Sequence, residues 1–191
     1  MYLFKKNVIT DIIESVDDWL IFGTVQFGRT TSYKFTIDIF FELIRSIEKK
    51  SGSVWLLKVE GDNITRNIHI HFIVSSDGLK TPFAKSNLFK LNSKFTELKF
   101  KYLSLNKASI KFEKYDKQKA GAFYLSKVEV GVLTRAPSYF DYVDDGICVK
   151  FSGKLKRRYK KFNLNRSPIL KCLDSIDKQP VCGCQKYLSY K

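Results

Sequence analysis

The sequence has only two histidines, and no apolar run in it approaches the roughly 20 residues that a membrane-spanning helix needs. It also lacks a G-x-x-x-x-G-K-[ST] phosphate loop, which excludes a P-loop ATPase. The opening residues Met1-Tyr2-Leu3-Phe4-Lys5-Lys6 have neither the apolar core nor the cleavage site of a secretory signal. An intracellular, cytoplasmic location is therefore expected. The four cysteines, Cys148, Cys172, Cys182 and Cys184, fit no pair of C-x-x-C knuckles. Inside a cell free thiols are their default state, although Cys172, Cys182 and Cys184 could supply three of the four ligands of a zinc site. Acidic residues are scarce. Nineteen Asp and Glu stand against 34 Lys and Arg, a net charge of +15. That surplus predicts attraction to a polyanion, either nucleic acid or an acidic membrane.

What is present fits a nucleic-acid partner. Sixteen Phe and ten Tyr are unusually many for so basic a chain; some must be core, and exposed ones could stack on unpaired bases. With 191 residues and 44% apolar content, the chain can bury one core and carry a small appendage. There is no internal repeat and no low-complexity linker. The expected division is a core at 1–135 and a basic C-terminal extension at 136–191, packed on the same domain.

Both histidines, His69 and His71, fall in one apolar, β-branched stretch from Ile68 to Val74. Random placement would put them two apart only about once in a hundred times. In a strand the two imidazoles share one face about 7 Å apart, with Ile68, Ile70 and Phe72 on the other. Val54 to Glu60 reads as a preceding strand, and Gly61-Asp62-Asn63 supplies turn chemistry. With Glu60 opposite Asn67, an antiparallel pairing sets Lys58 across from His69 and Glu60 diagonally beside it. Two imidazoles and a carboxylate then form a candidate metal site. A one-residue slip would turn Glu60 to the other face. The alternative is a histidine pair on a half-exposed strand with no ligand.

Elsewhere, Thr10 to Asp18 reads as a short helix and Trp19 to Phe27 as a buried strand. Thr30, Thr31 or Ser32 can cap a helix in which Ile37, Phe40, Phe41, Ile44 and Ile47 recur, and Ser51-Gly52-Ser53 stops it. Lys80 to Lys107 reads as one or two helices with a loop, and Ala108 to Lys114 as a strand. Gln118 to Val128 reads as a helix that sets Ala120, Tyr124 and Lys127 on one face. Ala136-Pro137-Ser138 breaks the chain. Asp141, Asp144 and Asp145 precede a strand around Ile147 to Phe151, and Ser167-Pro168 opens a last helix to about Ile176. The fold class is α+β, a central antiparallel sheet carrying the His-x-His strand and flanked by helices. From Lys150 to Arg166 there are eight basic residues and no acidic one. With Phe151, Tyr159 and Phe162 interleaved, Lys154, Lys156, Arg157, Arg158, Lys160 and Lys161 are expected to contact DNA phosphates rather than form only a solvated face.

His69-Ile70-His71, a carboxylate just before it, and Tyr124-Leu125-Ser126-Lys127 on a later helix together resemble the HUH endonuclease superfamily. The likeness is to its single-tyrosine rolling-circle replication initiators of plasmids and viruses. It spans roughly Trp19 to Gly131, with Ile21-Phe22-Gly23-Thr24-Val25 at the family's first motif and Glu113-Lys114-Tyr115-Asp116 running into the tyrosine helix. The resemblance implies nicking and rejoining of single-stranded origin DNA through a 5′-phosphotyrosine link. It implies Tyr124 as nucleophile, Lys127 as its cationic helper, and Mn²⁺ or Mg²⁺ held by His69, His71 and Glu60. A host DNA polymerase would extend the free 3′-hydroxyl; with no phosphate loop the chain would need a separate helicase to unwind the duplex, and no membrane partner is expected. A single-tyrosine transposase or relaxase shares this chemistry; a need for two DNA ends in a dimer would mark the transposase. A non-enzymatic single-stranded nucleic-acid-binding protein explains charge and aromatics without any metal. RNA cleavage by the histidines as acid and base would survive chelation.

Overall fold

A computed structural model of the chain describes residues 12–27, 31–61, 68–117, 142–144 and 147–162. Six strands form one sheet: β1 (Trp19–Gln26), β2 (Trp55–Gly61), β3 (Ile68–Ser75), β4 (Ser109–Lys114), β5 (Tyr142–Asp144) and β6 (Ile147–Phe151). Their spatial order is β4-β1-β3-β2-β6-β5, with every adjacent pair antiparallel. Among the described residues three long helices pack with them: α1 (Tyr33–Ile47), α2 (Ala84–Lys101) and α3 (Gly153–Phe162). The fold is α+β, and the His-x-His strand β3 lies inside the sheet between β1 and β2.

The helix α1 starts where Ser32 takes the N-cap, its hydroxyl accepting from the Phe35 N–H at 3.2 Å. Ile37, Phe40, Leu43, Ile44 and Ile47 recur at helical spacing and are all buried. Beyond its end the chain turns at Gly52, whose φ of 76° suits a residue without Cβ. The helices α1 and α2 cover one face of the sheet, where Ile21, Val25, Leu57, Val59, Ile70, Phe72 and Val74 meet Phe40, Leu91, Phe95 and Leu98. Gly23 makes room for this packing, since a Cβ there would run into the Phe72 ring.

The opposite face carries a second, smaller core of Leu56, Ile73, Val149 and Phe151 with Ile12, Ile13, Val16 and Leu155. Residues 12–14 are helical, inside the helix expected at Thr10 to Asp18. A register shift between Trp19 and Ile21 turns Trp19 toward this second core, where its indole N–H donates to the Ile13 carbonyl at 2.7 Å. The helix α3 falls within the basic run and is held by Ser152. The Ser152 hydroxyl accepts from Leu155 N–H, an N-cap bond, and from Trp55 N–H of β2, each at 3.1 Å. Among the described residues no helix is long and apolar enough to cross a membrane.

Candidate metal centre

The second core covers only part of its face. Moving along β2 from Leu56 to Lys58 and Glu60, and along β3 from Ile73 to His71 and His69, the side chains on that face change from apolar to ionisable. The observed register pairs Glu60 directly with His69 and Lys58 with His71. This corrects the expected pairing by two residues. Because side chains alternate with a period of two, the shift leaves Glu60 on the histidine face.

The three groups converge. Glu60 Oε2 accepts from His69 Nε2 at 2.7 Å and lies 3.5 Å from His71 Nε2. One ligand atom from each of Glu60, His69 and His71 falls within 4.8 Å of the others, so the group can hold a metal ion. From the other side β1 places Thr24 opposite His71, its Oγ1 2.9 Å from Nδ1. In a metal-bound state, donation of Nδ1–H to Thr24 would fix the ring and turn Nε2 to the ion. Phe22 stacks against the His71 ring with centroids 6.1 Å apart. His69 remains the more open, its side chain 29% exposed against 14% for His71.

Lys58 completes the cluster. It is fully buried in the middle of β2, with its ammonium against Glu60 Oε1. Burial would push the Glu60 carboxyl up. Hydrogen bonds from His69, His71 and Lys58, with the Lys58 charge, outweigh burial and hold it well below the usual carboxylate range. Glu60 is therefore anionic at neutral pH, as a ligand must be. The sequence contained a signal for Lys58: a lysine two residues before the glutamate in an otherwise apolar strand shares its face.

The structure thus brings Glu60, His69 and His71 together. Tyr124 and Lys127 lie outside the described residues, as do the turn at Asp62-Asn63, the break at Ala136-Pro137-Ser138, Asp141, Asp145, the helix expected from Ser167, and Cys172, Cys182 and Cys184. The expected DNA contacts divide. Lys154 and Arg158 face acidic residues of the fold itself: Lys154 Nζ lies 3.7 Å from Asp77, and Arg158 lies 2.9 Å from Asp77 and 3.7 Å from Asp18. Arg157 is exposed, Lys156 is half-buried, and the side chains of Lys160 and Lys161 are outside the described set. Asp18 and Asp77 flank the far ends of β1 and β3. His71 and Ser75 are four residues apart, roughly 13 Å along the strand. The anchored end of the basic helix is therefore not at the candidate metal ligands.

The sequence matches no protein-family model and no curated protein.

Proposed function

We propose that the protein is a metal-dependent endonuclease that nicks and rejoins single-stranded DNA at a replication origin, with Tyr124 as nucleophile. The observation that carries this reading is the convergence of Glu60, His69 and His71 on the central strand pair. The net charge of +15 supports a polyanionic substrate. Among the described residues α1 and α2 cover one face of the sheet, and the imidazoles stand on the other.

Mn²⁺ or Mg²⁺ held by the three ligands would polarise the scissile phosphate and offset charge in the transition state. The Tyr124 phenol loses its proton and its oxygen bonds to phosphorus, while the bond from phosphorus to the 3′ oxygen breaks. This leaves a 5′-phosphotyrosine and a 3′-hydroxyl that a host polymerase extends; the reverse attack rejoins the strand. A free phenol has a pKa of about 10, so attack at neutral pH needs a nearby cation, the role assigned to Lys127. Without a phosphate loop the chain depends on a separate helicase, and the reaction belongs inside the host cell. The test is a denaturing gel of protein mixed with single-stranded DNA from its own replicon, with Mn²⁺ and with chelator. A metal-dependent covalent adduct that vanishes in Tyr124→Phe is expected. Binding without an adduct under any metal would replace this reading with a non-enzymatic one, and an adduct surviving in Tyr124→Phe would assign the chemistry elsewhere.

A further inference from the structure

Lys58 has a place in the site that the nicking chemistry does not use. A lysine that is fully buried in the centre of a strand is uncommon. Here the adjoining positions explain where its charge goes. Lys58 is paired across β2–β3 with His71 and across β2–β6 with Val149, so it stands at the boundary between the apolar core and the histidines. Two residues along the same strand face, Glu60 offers its two oxygens in different directions. Oε1 meets the Lys58 ammonium, and Oε2 meets His69 and His71.

We infer that Lys58 is a positioning residue that makes Glu60 a one-oxygen ligand and thereby sets which cations the site accepts. The inference rests on the metal-site reading above and extends it to selectivity. With Oε1 held by an ammonium inside the sheet, only Oε2 is presented toward the two imidazole nitrogens. A set of two nitrogens and one oxygen suits Mn²⁺ and its transition-metal neighbours. Calcium takes six to eight oxygens and draws heavily on two-oxygen carboxylates, so it loses most from this restriction. The Lys58 charge also opposes every cation at the site. It therefore weakens binding in general, while its hold on Oε1 weakens Ca²⁺ in particular. A lysine serving only the fold would affect stability and leave the ratio between metals unchanged.

The experiment measures Mn²⁺ and Ca²⁺ binding to the full chain and to Lys58→Met, which keeps the buried stem and removes the ammonium. The ratio of Ca²⁺ to Mn²⁺ dissociation constants is expected to fall about tenfold in Lys58→Met, the scale of lost support around a metal ligand. A ratio unchanged within twofold in a folded variant overturns the inference. The wild type supplies an independent readout that does not depend on the variant folding. In metal-loaded minus metal-free infrared difference spectra, with Glu60→Gln identifying the bands, Glu60 should show the wide stretch separation of one-oxygen ligation with Mn²⁺. The narrow separation of a two-oxygen carboxylate in the wild type overturns it. Absence of any Mn²⁺ binding to the wild type overturns the metal site itself, and this inference with it. That result is distinct from Mn²⁺ binding with a two-oxygen Glu60, which overturns only the role of Lys58.

Discussion

The two faces of the sheet are made by the same strands and do different work. On the face under α1 and α2 the side chains of β2 and β3 are apolar and buried at Trp55, Leu57 and Val59 on one strand and at Ile68, Ile70, Phe72 and Val74 on the other. On the opposite face the same strands are apolar at Leu56 and Ile73 and ionisable at the neighbouring Lys58, Glu60, His71 and His69. The lesson is a division of labour. One face supplies enough burial for the sheet to tolerate three ionisable side chains and a buried lysine on the other. Within the polar half a second division follows. Lys58 and Glu60 are a buried pair whose loss is expected to disturb the fold, whereas the imidazoles are candidate ligands whose loss is expected to disturb the site alone.

Four outcomes would break or sharpen that contrast. The largest effect should come from Phe72→Ala, which empties the centre of the helix-covered face where Phe72 meets Phe40 and Phe112. A loss of about 3–5 kcal/mol in urea unfolding is expected. Glu60→Ala should come next, at about 3 kcal/mol, because it leaves the Lys58 ammonium buried without its carboxylate. A Glu60→Ala protein as stable as wild type would show that the pair is not part of the fold. The pH dependence gives the same contrast with a sign. The folded Glu60 carboxyl lies below its ordinary value of 4.5, so its contribution is complete above that value and is lost as pH falls through the lowered one. The stability gap between wild type and Glu60→Gln should therefore persist from pH 7 to 5 and close in stronger acid. A gap that widens on acidification would contradict it. The smallest stability effect is assigned to His69→Ala. Its half-exposed ring should cost no more than about 1 kcal/mol in thermal unfolding, while metal binding is abolished.

Much of this was legible in the sequence, and the limits have physical causes. Alternation showed that His69 and His71 share a face, and the i, i+3, i+4 spacing of Ile37, Phe40, Ile44 and Ile47 marked α1. The hairpin register was misjudged by two because a period-two pattern is blind to a two-residue slip. That same blindness is why Glu60 still reached the histidines. Ser152, which caps α3 and also binds β2, joins residues 97 apart, and no local pattern shows such a contact. The partners of Arg158 were hidden for the same reason. Asp77 lies 81 residues away, so the basic run read as a phosphate surface alone, whereas two of its members are ion-paired within the fold.

The central claim is that Glu60, His69 and His71 form one metal site. Calorimetric titration of Mn²⁺ into the wild-type chain and into a His69→Ala/His71→Ala variant tests it directly. The account predicts one ion per wild-type chain and no binding at this site in the variant. Equal binding by the two proteins, or none by the wild type, would contradict it.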